Sequence, residues 1–368
     1  MFFFSICRMQ GISIDILIYL SVYIPAVKIT TKEVRSVVEI LDDIIDKYKE
    51  DRPEIKRDWR TYEQRLSRRI RCAIRNLEPL IDEAISEIQI VKDETRGSKP
   101  ILTLKQKVEL LLLKHLVEKS NREMSDMLVA FSLLADIDVS YKTVERLYSD
   151  EQVFLVMLNI HALILKKKGV ERPNCAGDGT GYSLTIKKHY ATEAQKLKDK
   201  KNEPTSKSKK NSGKTGRYIF SFRLMDLDTR MYIGYGTSYK SEKEAFAKAM
   251  KMAECVGMAS IRLDRYYAVQ SYVKFVEDLF GKDVLIYIIP KKNATVKGPL
   301  KWKKILHDFV NDTTGYLGEY YKRNQSESGF SEDKRRFGWK IPQRREDRVD
   351  TSNFCTTLWH NMFWAGEN

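Results

Sequence analysis

Cysteine is scarce in this 368-residue chain and arranged to no purpose that pairing would serve. Cys7, Cys72, Cys175, Cys255 and Cys355 are odd in number, scattered, and never in a C-x-x-C pair. That excludes a disulfide framework and a cysteine zinc site, and it points to a reducing compartment. The five histidines are equally dispersed, so a bound metal would have to be held by carboxylates, which select magnesium or manganese. No P-loop is present, which removes the commonest signature of nucleotide-driven chemistry. A spanning apolar run is also missing. The nearest candidate, "ISIDILIYLSVYIPAV" (12–27), is short and is broken by Asp15 and Pro25. It has no clear small-residue cleavage site, so residues 1–29 are expected to form a buried helix or a start-site extension rather than a membrane anchor. Acids are in deficit as well. Lys and Arg number 65 against 50 Asp and Glu, a net charge of +15. That surplus favours a polyanionic partner, nucleic acid or an acidic membrane surface.

What is present divides by texture. Residues 30–95 carry helical periodicity, with Val34, Val37, Val38, Leu41, Ile44 and Ile45 at three-four spacing and Thr31 as a possible N-cap. "KRDWRTYEQRLSRRIRCAIR" (56–75) holds eight Lys or Arg, which suits either a DNA-tracking helix or a solvated face. After a linker at 95–100, residues 101–172 read as a helical domain. Within it Ser140 caps a short helix that turns Val144 and Leu147 inward and Tyr141, Lys142, Glu145 and Arg146 outward. A capped helix with polar residues on its first turn resembles a helix-turn-helix reader, which makes Lys142 and Arg146 candidate DNA contacts. Any three-helix bundle can end in the same way.

From Asn174 the pattern alternates. Residues 175–186, 217–227 and 230–239 read as three strands, with a hairpin turn in "DLDTR" (226–230). A helix capped by Ser241 follows, then a strand at 258–264, a helix at 268–281, a buried strand at 283–290, and helices to the end. The order predicts an α/β fold: a mixed five-stranded sheet with flanking helices over 174–368, preceded by the α-helical N-terminal region. A basic insertion at 187–217, with eleven Lys or Arg against three acids, is expected to be a mobile loop.

Three carboxylates stand out on that layout. Asp178 lies between glycines in "GDGTG", Asp264 ends the fourth strand, and Glu327 lies on a late helix. Strand ends are where such sheets bind ligands, and three converging acids are costly unless divalent cations join them. Each acid taken alone has a plainer role: a turn residue, a helix cap, or one half of an i, i+4 pair with Arg323. The late helix carries Tyr320, Arg323, Glu327 and Lys334 on one stripe with Phe330 and Phe337.

The spacing Y-x-x-R-x-x-x-E-x-x-x-x-x-x-K, met by those four residues, resembles the signature of DDE transposases of prokaryotic insertion sequences. "GDGTG" resembles that family's first-aspartate strand and "SIRLDRYYA" its second. "IPKKNA" (289–294) resembles the basic stretch after its last strand, and "FCTTLWHNMFW" (354–364) its final helix. The resemblance covers about half the chain, from Asn174 onward, without the β-rich insertion some relatives carry before the glutamate. It implies a ribonuclease H-like core in which Asp178, Asp264 and Glu327 hold two Mg2+ (or Mn2+) ions. It also implies cleavage at transposon ends, and strand transfer of the 3′-hydroxyl into target DNA. Tyr320, Arg323 and Lys334 would bind DNA beside the metals, with Trp302 and Trp339 as stacking candidates if they are not core. The implied protein is cytoplasmic and nucleoid-associated, and works as a homodimer on paired DNA ends. A silent DNA-binding derivative and a nuclease without strand transfer remain as alternatives.

Overall fold

The computed structural model describes residues 29–51, 58–88, 101–117, 124, 139–184, 218–343 and 345–366. The apolar segment 1–28, the linker at 95–100, the helices expected just before Ser140 and the basic insertion at 187–217 lie outside the described residues.

The described N-terminal part is helical, as its periodicity demands: α1 (Thr31–Glu39), α2 (Leu41–Glu50), α3 (Trp59–Ser86), α4 (Leu104–Leu116), α5 (Tyr141–Leu147) and α6 (Glu151–Lys167). Thr30, not Thr31, caps α1. Its hydroxyl accepts from Glu33 N while the Glu33 carboxylate returns to Thr30 N, a reciprocal capping box. Ser140 caps α5 by accepting from Thr143 N.

The sheet is built from β1 (Asn174–Leu184), β2 (Tyr218–Asp226), β3 (Tyr232–Ser238), β4 (Ser260–Arg262), β5 (Leu285–Tyr287) and β6 (Lys340–Ile341), in the order β3-β2-β1-β4-β5 with β6 also on β1. The first three strands are antiparallel, while β4, β5 and β6 join in parallel. Among the described residues the expected five strands are therefore six. β6 is two residues long, too short for an alternation to register, and exists because Lys340 and Ile341 find Ser183 and Leu184. β2 occupies one edge of β1, so β4 and β6 share the other edge, β4 at the start of the strand and β6 at its end. The stretch between them is unpaired by strand, and there the segment Tyr321–Arg323 packs.

On one face of the sheet lies α7 (Glu242–Ala253), capped by Ser241, which accepts from Glu244 N. Gly236 admits it so closely that a Cβ there would sit 2.0 Å from Ala245 O. Then come a 3-10 turn at Arg265–Tyr267, α8 (Gln270–Phe280), α9 (Leu300–Asn311), α10 (Thr313–Tyr320), a second 3-10 turn at Tyr321–Arg323, α11 (Asn324–Phe337) and α12 (Glu346–Ala365). The stripe expected to run unbroken from Tyr320 is thus divided. Tyr320 closes one helix, Arg323 lies in the turn, and Glu327 and Lys334 belong to the next helix.

The last helix is the centre of the molecule. Residues 351–363 of α12 are all buried, polar ones included. Trp359 Nε1 donates to Leu112 O at 2.9 Å and Thr351 Oγ1 to Tyr148 O at 2.8 Å, binding α12 to the N-terminal helices. On its other side the Asn361 side chain takes both backbone groups of Tyr232 (2.7 and 2.8 Å), and Asn353 Nδ2 donates to Ser221 and Thr237. A helix covered on all sides must find partners for the polar side chains it buries, and along 351–363 Ser352 Oγ is left without one. One apolar core consequently runs from Val34 to Phe363 through both halves.

Candidate active site

The acids meet because of register. Ala176 of β1 faces Arg262 of β4. Two residues further along each chain come Asp178 and Asp264, on the same side of neighbouring parallel segments. Asp178 also lies opposite Arg223 of β2, on the face covered by α11 and α12. Gly177 and Gly179 point to the other face. A Cβ on Gly177 would come within 2.8 Å of the Phe222 ring and 3.0 Å of Leu224 and Leu263, so the first glycine of "GDGTG" is there for core packing beneath the acid.

Asp264 lies past the end of β4, where it caps the 3-10 turn by accepting from Tyr266 N at 3.3 Å. Its capping role and its place at a strand end are both realised. Glu327 stands in the first turn of α11, one turn beyond Arg323. Between the acids sits the Arg323 guanidinium, 2.9 Å from Glu327 Oε1 and 3.5 Å from Asp264 Oδ1. Burial works against the charge on Arg323. Tyr320, Glu327, Asp264 and Asp178 outweigh it and hold the group above the ordinary guanidinium range. Its Nε is buried without a hydrogen-bond partner.

Asp178 is the perturbed member. Burial pushes its carboxyl up to about 6; the bond from Gly179 N (2.9 Å) and the nearby Arg323 pull it down, and Glu327 and Asp264 push it up again. A half-buried carboxylate with one hydrogen bond and two acidic neighbours favours any added positive charge.

The other residues singled out from sequence are distributed unequally. Lys334 donates to Thr180 Oγ1 and stands 5.2 Å from the Tyr182 ring and 4.6 Å from the Trp339 ring. Burial, and then Arg223, lower its pKa, while Asp178 raises it, so it borders the acids. Tyr320 is buried, with Arg323 5.4 Å above its ring. Trp302 is core, its indole donating to Thr295 O, whereas Trp339 is 63% exposed. Phe330 is buried 6.3 Å from Tyr232, but Phe337 docks on His115 and Phe363 of the neighbouring helices rather than on the sheet. Lys142 and Arg146 are exposed on α5, which is tied through Glu145 to Arg348 of α12 and does not join the acids.

Hard oxygen donors on three elements form a donor set suited to a divalent cation of the magnesium type. Their spacing around Arg323 is looser: among the described residues no three His, Cys, Asp or Glu side chains converge closely enough to hold an ion. The chemistry of the set fits, and Arg323 supplies the positive charge that the three acids share.

Sequence reasoning missed the neighbouring network. Arg223 pairs with Asp333 of α11 and reaches Asn353 at 2.9 Å, and Asp333 also takes the Tyr232 hydroxyl and His360 Nδ1, each at 2.9 Å. The one available signal was Arg223 itself, a charge inside the apolar run "YIFSFRLMD".

In this mixed α/β sheet Asp178 stands within β1 and Asp264 just past the end of the neighbouring parallel β4, with Glu327 on α11 and the basic Arg323 and Lys334 beside them. The chain is 40% identical over 338 residues, 91% of its length and 97% of the relative's, to a probable transposase for insertion sequence element ISA1214 from Archaeoglobus fulgidus. It belongs to this family of insertion-sequence transposases. No protein-family model matches the chain, and no solved structure matches it. No described helix is long and apolar enough to cross a membrane.

Proposed function

We propose that this transposase is of the DDE type, with a ribonuclease H-like core, and that Asp178, Asp264 and Glu327 are its catalytic acids. The observation that carries the reading is their arrangement: three carboxylates from β1, the end of β4 and α11 around a single guanidinium. The three acids would hold two Mg2+ or Mn2+ ions, which when bound supply an activated water and charge neutralisation at the scissile phosphate. The chain's own contribution is placement. β1 and β4 fix Asp178 and Asp264 side by side, and α11 brings Glu327 to them. Asp178, protonated up to about pH 6, must lose that proton to act as a ligand. Arg323 neutralises the acids in the absence of another cation and becomes free to hold a DNA phosphate when one is present. Lys334, with its ammonium between two rings, flanks the same edge as a phosphate contact. The substrate is DNA, cut at the element's ends, and the exposed 3′-hydroxyl is joined to target DNA by a dimer acting on paired ends.

The test is cleavage and strand transfer of labelled element ends with Mg2+. Glu327→Gln is expected to retain DNA binding and lose cleavage. Undiminished cutting by that variant would remove Glu327 from the site. Cutting without joining by the wild type would favour a nuclease of the same fold.

A further inference from the structure

A second charged site lies apart from the acids. Arg65 and Arg69 of α3, Lys168 after α6, Asp228, Thr229, Arg230 and Met231 of the β2–β3 hairpin, and Trp364 of α12 line an open basin of about 450 Å3. Four cations face one acid there. Arg69 lies 3.7 Å over the Trp364 ring and Arg230 stands 4.9 Å from it. The indole N–H is buried without an acceptor.

The basin is held open by structure around it. Arg230 adopts a left-handed backbone (φ +61°), a conformation a non-glycine residue keeps only when its surroundings enforce it. Here His360 Nε2 meets Arg230 O at 2.9 Å, and Asp226 ties the turn through Thr229. Arg69 lies 3.9 Å from Glu332 of α11, so α3 is fastened to the helix that carries Glu327. Arg65 and Arg230 are exposed.

We infer that this basin is a DNA-backbone site, separate from the catalytic acids, in which phosphates of duplex DNA sit among Arg65, Arg69, Lys168 and Arg230. Two features favour a phosphodiester over a small organic anion. The basin is open rather than enclosing, and it continues into the exposed basic face of α3, where Arg68, Arg71 and Arg75 follow Arg65. A polyanion can occupy both the basin and that face, and the Arg69 guanidinium, held on Trp364 and beside Glu332, is fixed before binding. The inference rests on the transposase reading for its partner, but not on the metal chemistry.

The experiment is duplex binding by fluorescence anisotropy over a salt series, without divalent metal, using the full chain and a duplex of arbitrary sequence. Arg65→Gln/Arg230→Gln should weaken binding and flatten the slope of log K against log salt by about 2, near one for each phosphate no longer neutralised. Arg65→Lys/Arg230→Lys should retain most of the slope. Lys274→Gln, an exposed cation on α8, should leave it unchanged. An unaltered slope in the Gln double variant would overturn the assignment, as would an equal loss in Lys274→Gln, which would mean that net charge alone is read. Because metal is absent, failure of the catalytic acids cannot produce either result. A wild type that binds no duplex overturns this site, while the cleavage assay with Mg2+ judges the catalytic reading separately.

Discussion

Glu327 and Asp333 lie six residues apart on α11 and have opposite surroundings. Asp333 is 2% exposed, and its two oxygens take Arg223, Tyr232 and His360. Glu327 is 48% exposed and, among the described residues, is held by Arg323. One helix therefore carries a closed polar network and an open one. The closed network can specify how α11 docks on β2 and α12, because Asp333, Tyr232, His360 and both terminal nitrogens of Arg223 are partnered, Arg223 Nε being left over. The open one retains unsatisfied charge, which is what a site awaiting a ligand needs. Acidic side chains thus serve two unlike purposes within two turns of helix.

The comparison breaks most visibly at Asp333. Asp333→Ala leaves Arg223 buried without its counter-charge and should cost about 3–5 kcal/mol in chemical denaturation. The double change Arg223→Met/Asp333→Leu should recover much of that loss. A single-variant cost below about 1 kcal/mol would mean that the network does not hold α11.

Asp178 should behave in the reverse sense. Its folded pKa, about 6, lies above the ordinary 3.8. Between those values the folded chain binds more protons than the unfolded one, so stability falls as pH rises from about 4 to about 6. Asp178→Asn should then be more stable than the wild type at pH 7, by up to about 3 kcal/mol, and no more stable below about pH 4. Thermal melts at the two pH values decide this. Mg2+ should raise the wild-type midpoint and leave that of the Asn variant where it was.

Glu327→Gln should change stability by less than about 1 kcal/mol, since it breaks one half-exposed ion pair. A larger loss would make Glu327 a structural residue like Asp333. The smallest stability effect belongs to Lys142→Ala/Arg146→Ala on the exposed face of α5, within about 0.5 kcal/mol. A loss of sequence-specific DNA binding in that variant would support the reader role for α5.

Legibility in the sequence followed the range of the forces. The β1–β3 meander and the caps at Ser140 and Ser241 were readable because alternation and capping are local. β6 was not, because two residues become a strand only by meeting Ser183 and Leu184. The break at Tyr321–Arg323 carries no Gly or Pro to announce it. Asp178, Asp264 and Glu327 were singled out by their positions and by the spacing of the late helix; Asp264 and Glu327 pair with Arg323, and Asp178 is near enough for its charge to act on it. The Arg223–Asp333–His360 network joins residues 110 and 27 positions apart, and no periodicity within one segment reports such a meeting. The basin at Trp364 was hidden for the same reason, although the basic run of α3 that feeds it was in plain view.

The burial of α12 bears on how the protein is made. Translation delivers residues 346–365 after the elements they hold together, so a nascent chain presents the sheet and the N-terminal helices with the faces that α12 covers still open until that helix emerges. Joining of the N-terminal helices to the sheet then waits on α12, and a message interrupted before it yields a chain whose two halves lack the helix they share.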